Sequence, residues 1–170
     1  MPDGPPGVDD GVTAALARLD AGETLDAELL GGPFAVDADG FGSATLGLRW
    51  DTVAADRVTA HLEVGARHHQ PFGIVHGGVW CAAIESMASL AASLRVASSG
   101  GSCVGVHNAT DFLRSVRAGR VDGVATPLHV GRLQQLWQVV LTRAEDGKTV
   151  ARGQVRLQNL EPDHLGGGGA

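Results

Sequence analysis

The 170-residue chain has 44% apolar residues, a mean hydropathy of +0.05 and a formal charge of −6 with pI about 5.5. That balance fits one globular domain with one core, and it excludes general nucleic-acid affinity, which needs a net basic face to release counterions from phosphates. Two cysteines, Cys81 and Cys103, and no charged-plus-apolar leader point to reduced, buried thiols in a cytoplasmic protein.

Residues 1–11, MPDGPPGVDDG, cannot bury enough apolar surface to offset chain entropy and are expected to be a disordered arm. Val12, Leu16 and Leu19 fall at helical spacing before Gly22, so a short amphipathic helix is expected there. A further turn of helix is expected over Thr24 to Leu30, ended by GGPF at 31–34. The period then changes to two. In SATLGLRW (43–50) and RVTAHLEV (57–64) apolar and polar residues alternate, which predicts two half-buried strands joined by the hairpin link DTVAAD.

Gly77 to Ala97 is the longest apolar run, yet it carries Glu85, Arg95 and the serines Ser86, Ser89 and Ser93, too polar for a lipid-facing span. It reads as a core helix, with no membrane role. Four more strands follow at 102–113, 120–130, 133–143 and 148–159, the last pair joined at Asp146-Gly147, a strong hairpin signal. Short links require antiparallel pairing, and a helix apolar nearly all round must be wrapped by a curled sheet. The expected fold is therefore α+β, a hotdog: one antiparallel sheet curled around one long helix, with edges that favour dimerisation. The organisation is an N-terminal extension (1–42) partly disordered with short helices, the hotdog domain (43–160) and a flexible tail (161–170).

Glu85 is the residue in that helix that needs a reason. Burying a lone carboxylate costs on the order of several kcal/mol, so a chain that keeps one has a use for it. Gly77 and Gly78 leave the helix start without side chains, and amides there favour a developing negative charge. Ser89 and Ser93 follow Glu85 at i+4 and i+8, making one polar stripe. With Gln70 and His76 near the helix start, the parts suit attack on a carbonyl: donors for the oxygen, a carboxylate to attack it or activate water, and a hydroxyl to orient the water. A structural salt bridge from Glu85 to a partner's arginine is the competing explanation. His68 and His69 lack the spaced partners of a zinc site, so no metal is expected, and there is no phosphate loop or dinucleotide motif.

The stretch QPFGIVHGGVWCAAIESMAS (70–89), with VGVHNATDFLRSVRAGRV, PLHVGR and LWQVVL further on, closely resembles hotdog acyl-CoA thioesterases of the phenylacetate-pathway, 4-hydroxybenzoyl-CoA and 1,4-dihydroxy-2-naphthoyl-CoA type. The likeness runs from about Ala44 to Leu160. It implies hydrolysis of an acyl-CoA thioester, with coenzyme A as part of the substrate and no other cofactor, at a homodimer interface within a dimer of dimers. By the resemblance Glu85 is nucleophile or general base, and Gly77 gives its N–H to the carbonyl oxygen. Gln70 and His76 position thioester or water, and Ser89 supports the water or the leaving thiolate. Arg114, Ser115, Gly131 and Arg132 match coenzyme A contacts, and Arg117 and Arg120 add charge for a phosphate patch against Asp111 and Asp122. Trp80 is bulky where many members are small, and Phe112 stands where some carry a polar residue. The apolar surroundings favour an aromatic or medium-chain acyl group. A hydratase, for which His69 would pair with Glu85, and a non-catalytic acyl-CoA-binding protein are the alternative readings. The arginine-dominated, glycine-rich composition suits a GC-rich bacterial source.

Overall fold

A computed structural model describes residues 10–31 and 40–161 of the chain. Of the arm expected at 1–11, residues 1–9 lie outside them, as do most of the GGPF break and the tail beyond residue 161, whereas Asp10 and Gly11 belong to the first helix rather than to an arm. Helix α1 (Asp10–Asp20) forms where predicted, because Val12, Ala15, Leu16 and Leu19 share one face and are buried on it. It ends at Gly22, whose φ of 86° only glycine adopts without strain.

Seven antiparallel strands make one sheet: β1 (Leu25–Asp26), β2 (Leu48–Ala54), β3 (Arg57–Val64), β4 (Ser102–Phe112), β5 (Gly119–Val130), β6 (Gln134–Arg143) and β7 (Thr149–Leu160), in the order β1-β2-β3-β5-β6-β7-β4. Helix α2 (Gly77–Ala97) lies in the curl and buries Trp80, Ala83, Ile84, Met87, Ala88, Ala91, Ala92 and Leu94 against the sheet. This is the hotdog arrangement expected from the order of elements. Along β7 the buried Ala151, Gly153, Val155 and Leu157 alternate with the exposed Arg152, Gln154 and Arg156, so its inner face meets the core and its outer face water.

Two expectations fail near the N-terminus. Thr24 to Leu30 is not a helical turn: Leu25 and Asp26 pair with Val53 and Thr52 as strand β1, and only Ala27–Leu29 form a 3-10 turn, capped by Asp26 accepting from the Glu28 N–H at 3.1 Å. Residues 43–47 are not strand either. Phe41–Thr45 form a π-helical turn, Gly47 turns the chain at φ 78°, and β2 begins at Leu48 and runs on through most of the expected link. Val12, Leu16, Leu19, Leu25 and Leu30 belong to the same hydrophobic cluster as the sheet and α2.

Candidate active site

The loop from β3 to α2 is built by its own hydrogen bonds. Gln70 Oε1 accepts the Phe72 N–H at 2.6 Å, the Gln70 N–H donates to the Ile74 carbonyl at 2.8 Å, and Gly73 turns the chain at φ 70°. With Oε1 occupied, the Gln70 NH2 is the donating end, and among the described residues no acceptor meets it. Arg117 holds this loop from the β4–β5 connection, donating to the carbonyls of Phe72 (3.3 Å) and Gly73 (3.1 Å), while His69 Nε2 donates to the Arg117 carbonyl at 2.6 Å. His69 is thus committed to that carbonyl, and the His69–Glu85 pair a hydratase would use is not formed.

His76 is the N-cap of α2. Its Nδ1 accepts the Gly78 N–H at 2.9 Å and its carbonyl the Val79 N–H, leaving Nε2 as the protonated ring nitrogen. Among the described residues no acceptor meets the Gly77 N–H. It is therefore a donor held at the positive end of a 21-residue helix. The ring of Phe112 lies over Gly77, so close that an added Cβ would sit 2.5 Å from Cε2.

Gln70, Gly77, Trp80, Arg114 and Ser115 converge on one pocket of about 310 Å³, walled further by Ile74, Val75, Phe112 and Leu113. Arg114 is fixed there by a 2.6 Å bond to the Thr149 carbonyl. Glu85, His76 and Ser89 do not line it within one chain. Gly131 and Arg132 line a second, separate pocket of about 450 Å³ with His129, Leu133, Gln134 and Gln158. The expected phosphate patch is accordingly divided: Arg117 clamps a loop, and Arg120 pairs with Asp122 at 2.6 Å and Asp51 at 3.8 Å.

Glu85 is half-buried and faces β4. A sheet lies over only part of this helix face, so the carboxylate keeps water on one side and the full burial cost does not arise. Ser93 and Ser89 continue the same stripe: Ser93 Oγ lies 3.2 Å from Cys103 Sγ, and the Cys103 thiol reaches the Ser89 carbonyl at 3.9 Å. Both cysteines are half-buried rather than buried. Burial pushes the Cys103 thiol up, the Ser93 hydrogen bond offsets part of that, and the negative charge of Glu85 adds to it.

One residue at this site had no sequence expectation. Asn108 Nδ2 donates to Glu85 Oε2 at 2.8 Å and to the Cys81 carbonyl at 3.2 Å, and Thr110 Oγ1 donates to Asn108 Oδ1 at 2.6 Å. The only available signal was a polar Asn inside a strand, where it is disfavoured. Simple alternation from Cys103 would have pointed residue 108 away from the helix.

The thioesterase superfamily model matches residues 72–150. A Mycobacterium tuberculosis H37Rv protein, Rv1847, which bears the provisional name of esterase, is 54% identical over 118 residues, 68% of this chain and 84% of its own. Its solved structure superposes with a TM-score of 0.68 over 70% of this chain and 95% of that one. The proofreading thioesterase EntH of Cronobacter turicensis is 38% identical over 97 residues, 56% of this chain and 69% of its own. The solved thioesterase HI1161 of Haemophilus influenzae is 32% identical with a TM-score of 0.69, covering 74% of this chain and 86% of that one. A match at 54% identity across most of a relative goes well beyond a shared fold: the chain belongs to the thioesterase superfamily, and it is a thioester hydrolase.

Proposed function

We propose that the protein hydrolyses an aromatic or medium-chain acyl-CoA to the free acid and coenzyme A, with Glu85 as its catalytic carboxylate. The observation that carries this reading is a half-buried carboxylate held by a side-chain amide on the same helix whose N-terminus opens into an aromatic-walled pocket. The thioester carbonyl lies at that helix start, where the Gly77 N–H and the Gln70 amide stabilise the oxyanion. Glu85 then attacks the carbonyl carbon, expelling the thiolate and leaving a mixed anhydride that water cleaves, or it takes a proton from a water that attacks directly. His76 through Nε2–H and Ser89 through its hydroxyl orient that water or the leaving thiolate. Trp80 and Phe112 make the wall against the acyl group.

Arg114 and Ser115 in one pocket, and Gly131 and Arg132 in the other, take the pantetheine and nucleotide. Residues 41–160 hold twelve of the thirteen basic residues and only eight of the nineteen acidic ones, so the part of the chain that carries the site suits a polyanion although the whole is acidic. Coenzyme A arrives and leaves as substrate, and no other cofactor takes part. Among the described residues none pairs with the outer side of the eleven-residue strand β4, and Val104, Val106, Phe112 and Leu113 are exposed along and beyond it. A second copy paired there, within a dimer of dimers, brings the divided parts of the site together. Two unpaired cysteines suit a reducing cytoplasm.

The test is thiol release from benzoyl-, phenylacetyl-, naphthoyl- and straight-chain acyl-CoAs by wild type and Glu85→Gln. The variant should unfold at the wild-type temperature and lose at least about a hundredfold in kcat. Undiminished hydrolysis by Glu85→Gln sinks the assignment. Single turnover in oxygen-18 water separates the two roles, because label enters the carboxylate only through the anhydride.

A further inference from the structure

We propose that Asn108 is a positioning residue that decides which oxygen of Glu85 reacts: it anchors Oε2 and leaves Oε1 free over Gly105. The inference rests on Glu85 being the reacting carboxylate and adds the device that aims it. The Asn108 amide has one possible orientation. Its two N–H groups meet the Cys81 carbonyl and Glu85 Oε2, both acceptors, and its oxygen meets the Thr110 hydroxyl, so a flipped amide would set acceptor against acceptor twice. Among the described residues no hydrogen bond reaches Oε1. It lies instead over Gly105, where any side chain would overlap it.

The strand achieves this with one irregularity. Gly105 pairs with Leu157 and His107 with Arg156, so Val106 is an extra residue in β4. In a regular strand residues 105 and 108 point to opposite faces. The bulge at Val106 brings both to the helix side, Gly105 opposite the buried Leu157 and Asn108 opposite the buried Val155. Thr110 follows on the same face opposite Gly153, where a Cβ would come within 2.7 Å of the threonine oxygen. Gly105, Asn108, Thr110 and Gly153 thus form one cradle, and among the described residues it meets the proposed chemistry through Glu85.

Steady-state hydrolysis and thermal unfolding of Asn108→Ala, Asn108→Asp, Thr110→Val, Thr110→Ser and Glu85→Gln test this. Loss of a hydrogen bond to a charged group and of its aim should lower kcat of both Asn108 variants about tenfold to a hundredfold, with KM held within about twofold. Thr110→Val should lose a smaller part of kcat, and Thr110→Ser, which keeps the hydroxyl, should recover most of it; a purely structural threonine would show no such dependence on the hydroxyl. If Asn108→Ala does not fold, the Thr110→Val and Thr110→Ser pair carries the test, because the threonine hydroxyl holds the Asn108 amide in place. Wild-type kcat in a folded Asn108 variant beside an inactive Glu85→Gln overturns this inference alone. Wild-type kcat in Glu85→Gln overturns the proposed function and this inference with it.

Discussion

Gly77 does two things that a larger residue would set against each other. Its amide is a free donor at the helix start, and its bare Cα is the surface on which the Phe112 ring lies. A methyl group there sits 2.5 Å from Cε2, inside van der Waals contact, so the ring has to move and with it the wall of the pocket. Gly77→Ala should therefore lower kcat/KM at least about tenfold on the preferred acyl-CoA. Adding Phe112→Leu should return part of that loss, and if the double variant is no better than the single one, the ring is not the cause. Single residues were legible where their chemistry is unusual for their place. A carboxylate in an apolar helix and a glycine pair at a helix start stand out in any sequence, and Gln70, Gly77, Trp80, Arg114 and Ser115 do share one pocket. Asn108 was not legible, because its facing depends on one extra residue in β4, and alternation carries no mark of a bulge.

Strand β6 is tied to its neighbours through Gln135, a fully buried amide in an otherwise apolar row. Its Nε2 donates to the Ala92 carbonyl of α2 at 3.1 Å and to Asn159 Oδ1 on β7 at 2.8 Å, and its Oε1 accepts from Trp137 Nε1 at 2.9 Å. Removing the amide takes a partner from the buried Trp137 N–H and Ala92 carbonyl and from the half-buried Asn159 side chain, so Gln135→Ala should cost about 3 kcal/mol in urea unfolding. A loss below about 1 kcal/mol would mean that water replaces the amide. The elements legible from the sequence were those long enough to show a period: α2 and the later strands form within a residue or two of where they were expected. The others escape for physical reasons. Strand β1 has two residues and no period at all; it exists because β2 offers it an edge. The alternation at 43–47 is real but belongs to a π-helical turn, ended by a glycine in a conformation that strands do not use.

At the scale of the molecule, the two borders of the sheet are unlike. One ends in the two residues of β1, and the other in the eleven of β4, whose outer side bears the exposed Val104 and Val106. Short edge strands resist pairing, whereas long apolar ones invite it. If the working site needs a second copy along β4, Val104→Lys should shift sedimentation toward the monomer and lower kcat/KM together. A monomeric variant with full activity would confine the whole reaction to one chain.

If copies pair edge to edge along β4, the same asymmetry gives each chain a valence of one. A molecule that could extend its sheet at both borders would add copies indefinitely, as a fibre does. At the other border β1 is a two-residue strand paired only with Thr52 and Val53, which offers little to dock on, and a copy that docks edge to edge on β4 uses up its own long apolar border in doing so. On that pairing, the short border near the start of the chain limits edge-to-edge growth to a single step.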